Sequence, residues 1–322
     1  MSYPKEIYLN AERILEKRRD NAVMEASMRA EEIKNAIPEV DEIQNKLSRI
    51  GLEISRLFFY NGNAEEKVAE LRQKSKALTD ERGCILAKNG YKPDAMSPEY
   101  ICPVCEDKGF VNGRICQCHR QLLKDLMKEN LRRVAPLDDC TFENFYVEKY
   151  SDRPDENGII PRERAGKIYD AAHRYAQNFS LPSKNLLFLG ATGLGKTHLS
   201  LAIANVAVNR GYYVCYGTSQ NICEDLQSEQ LGRDSDIVYT KRQVLDIDLL
   251  IIDDLGTEID SQYSIATLYN IINSRILAKK PTIISTNYEP AELYKKYDQR
   301  ITSRITGEYT AMQFLGSDIR NE

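Results

Sequence analysis

Gly190-Ala191-Thr192-Gly193-Leu194-Gly195-Lys196-Thr197 restricts what this chain can fold into more than any other stretch. It follows directly on the apolar run Leu186-Leu-Phe-Leu189. It precedes a segment, His198 to about Val208, whose apolar residues recur at helical spacing. In a strand–loop–helix of this kind the glycines let the backbone curl around phosphate groups. Several N–H groups then point inward, and the helix N-terminus adds a favourable dipole. Lys196 would reach the β- and γ-phosphates of a nucleotide, and the Thr197 hydroxyl would ligate Mg2+. The residues from Gly190 through His198 are the expected nucleotide-binding set.

Three further apolar runs, Tyr213-Val-Cys-Tyr216, Leu249-Leu-Ile-Ile252 and Thr282-Ile-Ile-Ser285, alternate with helical stretches from about residue 165 onward. Continuous runs of this sort suit a parallel sheet covered on both faces, hence an α/β domain. The run ending at Ile252 carries Asp253 and Asp254 to its C-terminal end, beside the phosphate loop. Asp253 would hold Mg2+ through water, as a Walker B Asp does, and Asp254 would orient or deprotonate the attacking water. Asn287, after the next run, is a candidate to position that water or touch the γ-phosphate. By itself such an Asn is also an ordinary turn former.

Residues 1–92 read as a helical N-terminal region. One helix is expected from Glu6 to about Lys34, interrupted by Pro38. An antiparallel hairpin follows, with Leu47, Ile50, Ile54 and Leu57 on one helix and Val68, Leu71, Leu78, Ile85 and Leu86 on the other. Asn61-Gly62 signals the turn between them, and Asn63 with Glu66 reads as a capping box. Such a region either packs only on itself or serves as a docking module for a partner.

Residues 93–135 hold Cys102-Pro-Val-Cys105 and, ten residues on, Cys116-Gln-Cys118-His119, followed by a helix. Four thiolates at that spacing can take tetrahedral positions about 2.3 Å from Zn2+, and Gly109 and Gly113 suit a tight hairpin between the two pairs. His119 in place of Cys118, or the remote Cys84, are the alternative ligands. A closed four-ligand site is structural, with no open position for chemistry. On the following helix Arg120, Lys124, Lys128 and Arg132 form a basic stripe. It is either a solvated face or a contact for an acidic partner or phosphate backbone. Residues 136–164 read as a linker, with Asp152 to Pro161 a loop, and 165–322 as the ATPase domain.

At this point a resemblance is plain. Walker A, the Asp253-Asp254 pair, Ser285-Thr-Asn287 and Arg300-Ile-Thr-Ser-Arg304-Ile together look like an AAA+ ATPase of the initiator and helicase-loader branch. Thr141-Phe-Glu-Asn-Phe145, Gly195-Lys-Thr-His-Leu199 and Ile252-Asp-Asp-Leu-Gly256 resemble the DnaC/DnaI helicase loaders and the IstB transposition ATPases. The resemblance covers about 140–322 and implies a domain without a C-terminal lid. It implies sensor 1 at Asn287, an arginine finger at Arg304 reaching a neighbour's γ-phosphate, Arg300 as its helper, and a sensor 2 arginine at Arg320. Asp254 departs from the Glu common in AAA+ proteins, which suits slow, switch-like hydrolysis. The cysteine region ahead of this domain is similar to DnaI-type loaders, in which it docks on the replicative helicase.

The resemblance therefore implies an ATP-dependent loader of the replicative DNA helicase (a DnaB/DnaC-type hexamer) onto single-stranded DNA, self-associating through its ATP sites. An IstB-like transposition helper, or an adaptor that binds ATP with little turnover, are the other readings. The formal net charge of −4 provides no global basic field for nucleic acid. No apolar run reaches the roughly 18 residues needed to span a bilayer, and the polar N-terminus has no signal-peptide core. Both point to the cytoplasm, where the eight cysteines are expected to stay reduced.

Overall fold

Helix-forming composition with few breakers makes the first third of the chain α-helical, as the computed structural model shows; it describes residues 4–59, 65–233 and 238–321. Helix α1 spans Lys5–Ala36, and α2 spans Pro38–Phe59 with Pro38 opening its first turn, where the missing N–H has no helical partner to lose. Helix α3 spans Glu65–Lys88. Gln44 accepts from Arg82 at 2.6 Å and Glu53 pairs with Lys67 at 3.7 Å, so the α2–α3 hairpin is antiparallel. The turn expected at Asn61-Gly62 and the cap at Asn63 lie outside the described residues.

The described chain divides into two compact units, residues 12–119 and residues 1–11 with 120–322. In the first, Ile33, Ile37, Val40 and Leu86 form a small core joined by Ala95 and Met96. Strands β1 (Phe110–Val111) and β2 (Arg114–Ile115) make the expected short hairpin, turning at Asn112-Gly113. Both turn residues have positive φ, the geometry that two-residue hairpins require. Helix α4 spans Gln117–Val134. Of its basic stripe, Lys124 donates to the Asn209 carbonyl at 2.7 Å and Arg132 clasps Asp138 at 2.8 and 2.9 Å, so two of the four charges are held within the chain.

The second unit is built on a parallel sheet of order β4-β5-β6-β3-β7. In chain order come α5 (Pro161–Gln177), β3 (Asn185–Leu189), α6 (Lys196–Asn209), β4 (Val214–Thr218), α7 (Ser219–Gln230) and α8 (Lys241–Asp246). Then follow β5 (Leu249–Asp253), α9 (Gln262–Leu277), β6 (Thr282–Thr286), α10 (Pro290–Lys296), α11 (Gln299–Glu308) and β7 (Tyr309–Gln313). The four expected strands are present: β5 and β6 are wholly buried, β3 at all but its first residue, and β4 at three of its five, in keeping with runs apolar on both faces. Leu187, Leu189, Leu250, Ile252 and Ile284 point from one sheet face into a core with Ile222, Leu268, Ile272 and Ile301 of the covering helices. Their alternate neighbours point to the other face. No described helix is long and apolar enough to cross a membrane.

One stretch does more than its sequence reading assigned to it. Residues 137–150, within the stretch 136–164 read as a linker, bury Leu137, Cys140, Phe142, Phe145 and Tyr150. The aromatic side chains have apolar surface to remove from water, and they do so against the start of α6: Asn205 donates to the carbonyls of Leu137 and Cys140, and Tyr150 to that of Leu194. Arg275 is fully buried, and among the described residues no carboxylate bonds to its guanidinium. Its guanidinium donates to the carbonyls of Val244, Ile247 and Pro281 and to the Thr282 hydroxyl, tying together the ends of α8, α9 and β6. Burial pushes its pKa down to about 10, so it stays charged at neutral pH. Arg275→Met would leave those carbonyls unpaired, each costing about 1–3 kcal/mol. We expect the thermal midpoint to drop by roughly 5–10 °C in calorimetry.

Candidate nucleotide site and cysteine cluster

The carboxyl ends of β3, β5 and β6 converge, and the phosphate loop closes over them. Gly195 caps α6 with φ of 80°, and a Cβ there would come within 2.7 Å of the Phe145 ring. Gly193 has φ of 79°, and a Cβ on it would strike the Asp318 carboxylate. Both positions need glycine for its left-handed backbone and its bareness. Lys196 is 4% exposed and its Nζ is held by three acceptors: the carbonyls of Gly190 and Ala191 at 2.7 Å each, and Asn287 Oδ1 at 2.8 Å. Burial lowers its pKa, and the carboxylates of Asp254 and Asp253 oppose that shift.

Asp253 is the best-satisfied acid in the site. Thr197 Oγ1 donates to it at 2.8 Å and Tyr216 Oη at 2.7 Å, and Ser285 Oγ donates to its other oxygen. Thr197 and Asp253, the pair expected to hold Mg2+, are thus hydrogen-bonded to each other. Tyr216 and Ser285 belong to the site too, although both lie inside apolar runs that read only as strand. Asp254 has φ of 50°, left-handed for a non-glycine residue, and its Oδ1 accepts from Asn287 Nδ2 at 3.3 Å. Burial, and next the charge of Asp253, raise its pKa. A carboxylate shifted that way is a stronger base.

The remaining candidates sort into two places. Arg304 on α11 donates from Nε to Asn273 at 2.7 Å and lies over the Tyr269 ring at 4.8 Å, while Arg300 is exposed beside Asp298. Both make their bonds within α9–α11 rather than with the phosphate loop of their own chain. Arg320 clasps Asp318 through its Nε at 2.9 Å, and the neighbouring Ile319 N–H donates to the Gly193 carbonyl at 3.2 Å, so the C-terminal segment lies along the loop. Hydrogen bonds from the Arg320 side chain and backbone N–H hold the Asp318 carboxyl down at about 2. His198 Nε2 lies 2.7 Å from the Thr141 carbonyl and donates its hydrogen there. Asn144, Phe145, Tyr146, Gly195, His198 and Arg320 line a cavity of about 450 Å³ on this side of the loop. A larger cavity, about 690 Å³, opens between α7, α8 and α9 and contains none of these groups.

In the other unit the Sγ atoms of Cys102, Cys105, Cys116 and Cys118 all lie within 4.8 Å of one another. Cys105 and Cys118 are 3.3 Å apart and Cys102 and Cys116 3.8 Å apart. Tetrahedral zinc with bonds of about 2.3 Å sets its sulfurs roughly 3.8 Å apart, so the donor set fits Zn2+. The buried Asp107 carboxylate accepts from the N–H groups of Ile101 at 2.9 Å and Cys102 at 3.1 Å, pinning the first knuckle. The N–H of Cys105 pulls the Cys102 thiol down to about 7, while burial pushes Cys105 up. His119 turns Nδ1 toward the Gly109 carbonyl at 3.3 Å, and neither it nor the exposed Cys84 joins the cluster.

Residues 174–305 match the family model for IstB-like ATP binding protein. The replicative helicase loader DnaC of Escherichia coli strain K12 is 24% identical over 215 residues, covering 66% of this chain and 82% of that protein. DnaC of Buchnera aphidicola subsp. Baizongia pistaciae is 27% identical over 229 residues, covering 69% and 85%. A crystal structure of the DnaC helicase loader superposes with a TM-score of 0.47 at 21% identity, covering 56% of this chain and 100% of that one. The fold and the loop define a P-loop NTPase domain of the AAA+ class. At 24–27% identity over about two thirds of its length, the chain is similar to the DnaC replicative helicase loaders.

Proposed function

We propose that this chain is an ATP-dependent loader of the replicative DNA helicase onto single-stranded DNA, acting in the cytoplasm. The observation that carries this is the DnaC relationship, which spans 82% of that loader and includes a complete phosphate loop. The IstB-like match is confined to residues 174–305 and so gives no separate support to a role in transposition.

In this reading the N–H groups of the loop and Lys196 Nζ bind the β- and γ-phosphates, Thr197 and Asp253 hold Mg2+, and the base enters the cavity beside Phe145 and His198. Asp254 takes the proton of the attacking water, with Asn287 orienting it. Arg304, aided by Arg300, reaches the γ-phosphate bound to a neighbouring copy, so ATP favours assembly of several subunits. Arg320 exchanges Asp318 for a phosphate oxygen. The helical region 1–92 and the zinc module 93–135 grip the helicase hexamer, while the ATPase domain faces single-stranded DNA. Hydrolysis then releases the loader.

Co-purification with the cognate replicative helicase tests the partner, and capture only of other proteins, with or without ATP, would contradict it. Asp254→Ala is expected to keep MgATP affinity within about twofold and to slow DNA-stimulated phosphate release by at least about 100-fold, the usual scale for losing a general base. Release at the parent's rate would refute the role given to Asp254.

A further inference from the structure

We propose that Glu258 is a positioning residue for ATP hydrolysis, locking the loop after β5 to α10 so that Asp254 and Asn287 keep their mutual geometry. This rests on the reading of Asp254 as the group that activates water. Asp254 holds a left-handed backbone conformation at φ of 50°. Such a residue costs on the order of 1–3 kcal/mol and persists only where its surroundings over-determine it. The Asp254 N–H donates to Ser285 Oγ at 3.0 Å, and its carbonyl accepts from Ser219 Oγ at 3.0 Å and Thr257 Oγ1 at 2.9 Å. The loop thus curls back on itself.

Glu258 closes the curl. Its side chain is 1% exposed, and one oxygen accepts from the Gly256 N–H at 3.0 Å. The other accepts from Tyr297 Oη at 2.5 Å, with Lys296 Nζ 3.5 Å away. Lys296 also donates to the Gly256 carbonyl and lies 5.6 Å from the centre of the Tyr288 ring, which covers Gly256. Lys296 and Tyr297 end α10, the helix that begins three residues after Asn287. Beside the bonds that tie Leu255 to Ser285 and Thr286, the Glu258 carboxylate joins the loop bearing Asp254 to the far end of the helix that follows Asn287. Removing one partner of a buried pair also destabilises the fold, by about 3–5 kcal/mol, so the positioning role is read from rate and affinity in the folded protein.

Steady-state ATP turnover of the full chain with single-stranded DNA tests this, alongside titration of a fluorescent ATP analogue. Glu258→Ala should lower kcat by at least tenfold while KM and analogue affinity stay within twofold. Glu258→Gln, which keeps one acceptor, should recover part of the rate. Because both residues act through one step, Asp254→Ala/Glu258→Ala should turn over no more slowly than Asp254→Ala alone. Parental kcat in Glu258→Ala beside an inactive Asp254→Ala would overturn the proposal, as would parallel loss of affinity and rate, the mark of a merely structural role. If Asp254→Ala itself turns over normally, the reading beneath has failed instead. Should Glu258→Ala be insoluble, Tyr297→Phe removes one donor to the same carboxylate and must show the same split, a lower kcat at constant KM.

Discussion

Lys196→Ala is expected to weaken MgATP binding roughly 100-fold, about 2.7 kcal/mol. The buried ammonium is already aimed by three acceptors, Gly190, Ala191 and Asn287. It therefore meets an incoming phosphate without losing rotamer freedom at that moment, which is the advantage of preorganisation. Hydrogen bonds to charged partners contribute about 1.5–3 kcal/mol each, and Ala forfeits at least one of them together with the charge. The same substitution unties Asn287 from the loop, so the sensor position should loosen along with the phosphates. Titration with a fluorescent ATP analogue reads the loss, and an affinity within twofold of the parent would contradict the site.

The second large effect concerns the cysteine cluster. Four thiols within 4.8 Å of one another have little reason to gather around nothing. Structural zinc contributes about 10–16 kcal/mol of binding free energy to small modules of this kind. Protein purified under reducing conditions with zinc supplied should carry one zinc per chain. Chelation, or Cys105→Ser, should unfold the turns at 102–119, read as loss of hydrogen-exchange protection there. Metal-free protein with unchanged protection would contradict a zinc site.

Much of this was legible in the sequence because the signals are local. The strand–loop–helix around Lys196 and the buried strands at 249–252 and 282–285 are contiguous runs, and each appears where expected. Strand β7 was not legible. It is an edge strand, and Thr310 and Ala311 face solvent, so no apolar run marks it. The partners of Asp253 were hidden for the opposite reason: Tyr216 and Ser285 read as ordinary members of apolar strands until the register brings them to one carboxylate. Phe142, Phe145 and Tyr150 carry no helical or strand period, yet they pack because the loop beside them leaves an apolar face to cover. Glu258 and Arg275 lay beyond sequence reasoning altogether, since long-range contacts alone explain why a charge is buried there.

Whether ATP at this site drives helicase loading is measured directly by strand unwinding by the cognate helicase on a single-stranded DNA circle with an annealed fragment. The parent chain with ATP is expected to accelerate fragment release, and Lys196→Ala is not. Equal acceleration by parent and variant, or none by the parent, would contradict ATP-driven loading.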